Sequence, residues 1–132
     1  MPREVKPNAI AADVERGVHL VIYGQCYSLK NSKILARGRT IKHPKATAFE
    51  RDFTLQVPPE YRRLKMGSAT QPLRTTVSVW YPSHRQDLDC AIVYDCLQRA
   101  GVISNDRHII EKHEYAHVDA GTARVEITVE EI

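Results

Sequence analysis

Residues 73–81 alternate without a break. Leu73, Thr75, Val77, Val79 and Tyr81 form one row, and Arg74, Thr76, Ser78 and Trp80 form the other. A period of two specifies a strand with one apolar and one wetter face, because successive side chains point to opposite sides of a sheet. Pro82 ends the strand. A strand of this kind cannot bury its apolar row alone, so the rest of the chain has to supply a layer that covers it.

The other segments are consistent with that demand. Val18–Gly24 (VHLVIYG) is rich in β-branched residues and reads as a strand. Gln25–His43 carries Lys30, Lys33, Arg37, Arg39 and Lys42, fits no period, and reads as a basic loop. Pro44 suits a first helical turn, and Ala46, Phe49, Phe53 and Val57 recur at helical spacing until Pro58–Pro59 stops them. Glu60–Gln71 reads as a polar connection. A second helix is expected from Leu88 or Asp89 to Ala100, with Ile92, Val93, Cys96, Leu97 and Ala100 on its buried face and Gly101 just past its end. His108–Val118 and Thr122–Glu130 read as strands joined by the turn Asp119–Ala120–Gly121. The order is therefore β-α-β-α-β-β, which implies an α+β fold: a single domain with a mixed sheet and two helices on one face. Residues 1–17 are expected to be an N-terminal arm, with a short helix around Ala11–Arg16, and residues 18–132 the domain.

Charge is unevenly distributed. Residues 28–64 carry nine Lys/Arg against three Asp/Glu, and residues 87–132 carry four against ten. A basic first half suits a polyanion and an acidic second half suits cations, although two solvated faces of opposite sign have the same composition. No apolar run is long enough for a bilayer span, and the N-terminus lacks the apolar core of a signal peptide. The three cysteines (Cys26, Cys90 and Cys96) follow no disulfide or zinc spacing and are expected to be free thiols in a cytoplasmic protein. No phosphate-binding loop, dinucleotide fingerprint or nucleophile elbow is present, and no small-molecule cofactor is expected.

The chemistry-bearing feature is the run HRQDLDC. Asp87 and Asp89 lie two apart between a strand end and a helix start, so in extended backbone both carboxylates project to one side while Leu88 is expected to face the core. Paired hard oxygen ligands suit Mg²⁺. The alternative is plain helix capping, which Asp performs commonly at this position. Asp106 follows in the turn Ser104–Asn105–Asp106, itself a frequent turn composition. The two ends of the intervening helix lie about 15–20 Å apart by helix rise. Spacing alone therefore does not bring Asp106 to the other two. Arg85 and Arg107 flank the acids and suit contact with phosphate. Glu111, His113, Tyr115, His117 and Asp119 share one strand face, either a solvated row or, through the two histidines, a zinc site. Phe49, Phe53, Trp80 and Tyr94 read as packing residues rather than base-stacking platforms.

The stretch HRQDLDCAIVYDCLQRAGVISNDRHI resembles the core signature of the RusA family of Holliday-junction endonucleases. The matching residues are Arg85, Asp87, Leu88, Asp89, Asp95, Leu97, Ala100, Gly101, Asp106 and Ile109. Gly38–Thr40, Phe49-Glu50-Arg51 and the closing E-I-T extend the resemblance over about residues 18–130. The resemblance implies a homodimeric α+β nuclease that uses Mg²⁺; Mn²⁺ is a second candidate ion, since carboxylate ligands suit both. Its metal-binding acids are carried onto Asp87, Asp89 and Asp106. Its substrate would be branched DNA, held by Lys30, Lys33, Arg37, Arg39, Lys42, Arg85 and Arg107. Two positions depart from the pattern: Cys90 stands where the family has Asn, and Val93 stands where it has a helix lysine. The interval between Asp89 and Asp95 also runs two residues shorter than in the family, so Val93 need not occupy the lysine position. Arg85, Arg107 or Lys112 would then provide the positive charge. Three functions remain open at this stage: an active resolvase, a junction-binding module that cuts weakly or not at all, and a non-nucleolytic interaction protein in which the two acids only cap a helix.

Overall fold

The computed structural model describes residues 17–29, 33–36 and 38–132, with residues 33–36 and 39–42 described by backbone alone. Residues 1–16 of the expected arm (1–17), Lys30 and Arg37, and the side chains of Lys33, Arg39 and Lys42 lie outside the described residues, and Gly17 already belongs to the first strand. The described elements are β1 (Gly17–Tyr23), β2 (Lys33–Ala36), β3 (Arg39–Lys42), α1 (Pro44–Gln56), β4 (Leu73–Tyr81), α2 (Ala91–Arg99), β5 (Ile109–Val118) and β6 (Arg124–Glu131). Four strands form one mixed sheet in the order β1-β6-β4-β5, and β2 and β3 form a separate antiparallel pair. The fold is the expected single α+β domain.

The sheet is built around β4. It pairs antiparallel with β6 and parallel with β5 along its whole length. Its odd-numbered row is buried and its even-numbered row half-buried, as the alternation demands. Val18, Leu20 and Ile22 of β1 and Val125, Ile127 and Val129 of β6 join that buried face. Over it lie Ala46, Phe49 and Phe53 of α1 and Ile92, Val93, Cys96 and Leu97 of α2. Phe49 and Phe53 meet edge to face at 6.0 Å, an arrangement that favours aromatic pairs beyond their area burial. Glu50, buried between the helices, is 3.6 Å from Arg99.

Two helix starts are set by side chains. His43 Nδ1 accepts the Lys45 N–H at 3.0 Å ahead of Pro44, satisfying one of the donors left over at a helix N-terminus. α2 begins at Ala91, two to three residues later than the pattern suggests, because the Asp89 carboxylate takes the Ala91 N–H at 3.1 Å and holds residues 87–90 out of the helix.

The basic segment is not simply a loop. Lys33–Ala36 and Arg39–Lys42 pair antiparallel, with Ala36 opposite Arg39. Gly38 stands at the turn with φ +77, a conformation only glycine adopts without cost. The interspersed charges had hidden the β-branched Ile34 and Ile41, which pair with each other. The polar connection before β4 also hides two core residues, Tyr61 and Met66.

Met66 bridges to Ile103, and the segment is clamped by bonds from the Lys65 N–H to the Gly101 carbonyl and from the Met66 N–H to the Val102 carbonyl. Gly101 is essential to that clamp. Its φ is +84, and a Cβ there would sit 2.0 Å from the Arg62 carbonyl oxygen. Gly101→Ala is expected to destabilise the fold by ~1–3 kcal/mol, read as a lower midpoint in urea denaturation.

Candidate functional site

At the C-terminal end of β4 the chain turns through residues 82–90 and enters α2. This turn forms one wall of a cleft of about 270 Å³ whose lining includes Ser28, Tyr81, Arg85 and Asp87. The opposite wall is the loop leaving β1, which continues through Ser28 into the basic β2–β3 pair. Ser28 joins the two walls: its hydroxyl donates to the Asp89 carboxylate at 2.7 Å. The Cys26 thiol donates weakly to the Asp89 carbonyl at 3.6 Å, and the Tyr81 hydroxyl donates to the Asp87 carbonyl at 3.2 Å. The backbone of the acidic turn is thus pinned from the core side, while the Asp87 side chain is exposed and borders the cleft.

Asp89 is half-buried, and each of its carboxylate oxygens accepts a bond, one from Ser28 and one from Ala91. It therefore takes the first N–H of α2 from the position before the N-cap, Cys90, whose own side chain makes no capping bond. Leu88 does not face the core as expected; it is 37% exposed. Residues 87–90 form no regular strand, so the alternation that would have turned Leu88 inward does not operate there.

Asp106 lies elsewhere. β4 and β5 run parallel, and Asp106 opens the single helical turn Asp106–His108 just before β5 begins. Its N–H donates to the Gln98 side chain at 3.1 Å, near the C-terminal end of α2, whereas Asp89 sits at the N-terminal end. At 1.5 Å rise per residue, α2 holds the two aspartates roughly 15 Å apart. One chain therefore does not assemble Asp87, Asp89 and Asp106 around a common ion. Arg85 borders the cleft with Asp87, while Arg107 shares the far end with Asp106. Among the described residues, no group of three or more His, Cys, Asp or Glu is arranged to hold a metal ion. Asp87 and Asp89 alone fit the donor chemistry of Mg²⁺, which takes one or two carboxylates and fills its remaining positions with water and phosphate oxygen.

Val93 is fully buried. Lys112 of β5 places its ammonium 4.4 Å from the centre of the ring of Tyr94, the residue after Val93 in α2. Tyr94 carries a polar cluster that the sequence did not reveal. Its hydroxyl donates to Glu114 of β5 at 2.5 Å and lies 3.4 Å from the Thr75 hydroxyl. The only signal for it was an aromatic residue with a polar tip on a buried helix face.

The row Glu111, His113, Tyr115 and His117 lies on the face of the sheet away from the helices, beside Arg74, Thr76, Ser78 and Trp80. His113 is bonded to Glu111 at 2.6 Å, which holds the Glu111 carboxyl below its ordinary range, with Arg74 adding to the effect. His117 stacks on Trp80 at 4.4 Å, and the Arg124 guanidinium covers Trp80 at 4.1 Å. The two histidines are thus engaged separately. Trp80 packs against its neighbours on this outer face, whereas Phe49, Phe53 and Tyr94 are buried.

No protein-family model matches this chain, and no curated protein matches it. Among the described residues, no helix is long and apolar enough to cross a membrane.

The thiols beside the acidic turn are held neutral. Burial pushes Cys26 up, and burial followed by the charges of Glu114 and Asp89 pushes Cys90 up to about 12 from an ordinary 9.0. A thiol with a raised folded-state pKa stabilises the fold below its unfolded pKa, and that contribution is lost as pH rises through the folded value. The melting temperature is therefore expected to fall as pH rises from about 9 toward 12, and Cys26 and Cys90 should react with a thiol reagent at neutral pH only after unfolding. Asp89→Ala is expected to cost about 1 kcal/mol or more through loss of its bonds to the Ala91 N–H and the Ser28 hydroxyl, whereas Asp87→Asn should leave the denaturation midpoint nearly unchanged.

Proposed function

We propose that this chain is a Mg²⁺-dependent, structure-specific DNA endonuclease that resolves four-way junctions by paired nicks. The observation that carries this reading is the Ser28–Asp89 bond at the cleft. It ties the acidic pair to the loop that runs directly into the basic segment holding Lys30, Lys33, Arg37, Arg39 and Lys42. A basic segment suited to phosphates and a carboxylate pair suited to a metal ion, joined through one loop, support the cutting of a nucleic-acid backbone.

In this reading Asp87 and Asp89 hold the ion, which when bound polarises the scissile phosphate and lowers the pKa of water. Ser28 and the Ala91 N–H orient the Asp89 carboxylate. Arg85 stabilises charge on the phosphate as the bond breaks. The basic segment neutralises flanking phosphates, so binding weakens steeply with salt. Asp106 takes part only if a second copy brings it to the acidic turn, because its own chain holds it at the far end of α2. A two-fold homodimer provides that copy and presents two sites to a junction that is itself two-fold.

Two observations favour a second reading. The helix Ala91–Arg99 has no lysine and its Val93 is fully buried, and both Asp89 oxygens are already engaged. A junction-binding module with weak or no cutting would have these features.

Cleavage of a synthetic four-way junction separates the two. Symmetric nicks that require Mg²⁺, disappear with EDTA and disappear in Asp87→Asn are expected. Junction binding without nicks would leave the binding module. Mixing Asp89→Asn with Asp106→Asn chains, each inactive alone, is expected to restore single nicks, since each mixed dimer then holds one site with all three acids intact. No recovery would remove Asp106 from the shared site.

A further inference from the structure

The two edges of the main sheet differ. At the β1 edge, the Gln56 side chain bonds both the N–H and the carbonyl of Tyr23, each at 2.8 Å. That edge is partly closed by the protein itself. The β5 edge is ten residues long, has no proline, and among the described residues has nothing bonded along its outer side. Such an edge is a template for another strand unless it is blocked. It also carries apolar side chains that the domain leaves uncovered: Ile110 is 67% and Val118 41% exposed.

The sequence of β5 is complementary to itself in one antiparallel register. With a two-fold axis at His113, Lys112 of each copy stands opposite Glu114 of the other, and Ile110 opposite Ala116. Lys112, Glu114 and Ala116 lie on one sheet face, while Ile110 sits at the irregularity between the Leu73–Ile109 and Arg74–Glu111 pairs. An axis at Lys112 sets Lys112 against Lys112, and an axis at Glu114 sets Glu114 against Glu114. Like charges directly opposite each other destabilise a strand pair. An axis at Tyr115 leaves Lys112 opposite Val118 and Glu114 opposite Ala116. The His113 register also sets Arg107 opposite Asp119, although both lie beyond the strand ends.

We propose that β5 is the interface of a two-fold homodimer, in which the strands of two copies pair antiparallel about His113 and join the two sheets into one. The proposal deepens the endonuclease reading, which calls for a second copy, but its test does not use nuclease activity. Antiparallel pairing sets the start of one β5, with Asp106 just before it, beside the end of the other. β4 runs parallel to β5 and leaves the sheet at that same end, into Asp87 and Asp89. The pairing thus moves Asp106 toward the acidic turn of the other copy, a direction α2 forbids within one chain.

The test is sedimentation velocity on wild type, Lys112→Glu and Glu114→Lys, with circular dichroism confirming that each is folded. Wild type is expected to be a dimer. Each single variant sets like charges opposite in two symmetric pairs and should raise the dimer dissociation constant by about tenfold or more. An equimolar mixture of the two variants should form a heterodimer, because every pair is then opposite in charge, and the double variant should dimerise like wild type. A monomeric wild type, unchanged dimerisation of both single variants, or no heterodimer on mixing would each overturn the interface. A charge-dependent dimer that never nicks a junction would keep the interface and sink the nuclease reading.

Discussion

The parallel pairing of β4 with β5 is the constraint on which the rest of the structure depends. Parallel neighbours cannot be joined by a tight turn, so the chain must leave one end of the sheet and return to the other. Here α2 makes that return, laying Ile92, Val93, Cys96 and Leu97 over the buried row of β4. Every residue between the two strands is thereby assigned to an end. Asp87 and Asp89 belong to the exit end, and Asp106 and Arg107 to the entry end. The apolar packing that stabilises the fold is the same packing that separates the candidate ligands.

Polar side chains then adjust this scaffold locally. Asp89 takes the Ala91 N–H and the Ser28 hydroxyl, so a single carboxylate sets where the helix begins and ties the loop leaving β1 to the turn before it. Tyr94 fills the boundary between α2 and β5 and places its hydroxyl among Thr75 and Glu114. On the other side of the sheet, Arg124 bonds Asp119 and Glu126 while covering Trp80. That face is wet but already ion-paired within the domain, which makes the β5 edge the better candidate for a partner.

Much of the fold was legible because it rested on local repetition. The alternation of Leu73–Tyr81, the helical spacing of Ala46, Phe49, Phe53 and Val57, and Gly101 after α2 each express a backbone geometry that short-range sterics dictate. The β2–β3 pair is not legible because the backbone register sets Ile34 opposite Ile41 within a run otherwise full of charge. Leu88 turns away from the core because the Asp89–Ala91 bond and the Tyr81 hydroxyl shape an irregular turn where the spacing predicts extended backbone. At the candidate site, the sequence marked Asp87 and Asp89 and the basic run. It contained no mark for Ser28, whose role appears only when the β1 loop is folded against the turn before α2.

The sequence by itself determined the elements, the buried rows and the residue types able to do chemistry, because each follows from side-chain period and from charge within a few residues. Only the tertiary structure decided which of those residues meet. It joined Ser28 to Asp89 across 61 positions, placed Lys112 and Glu114 around Tyr94, and set Asp106 apart from the acids it resembles a partner to. The physical reason is that strand order and direction are chosen by how apolar faces cover one another over the whole domain, and no local pattern along the chain encodes that choice.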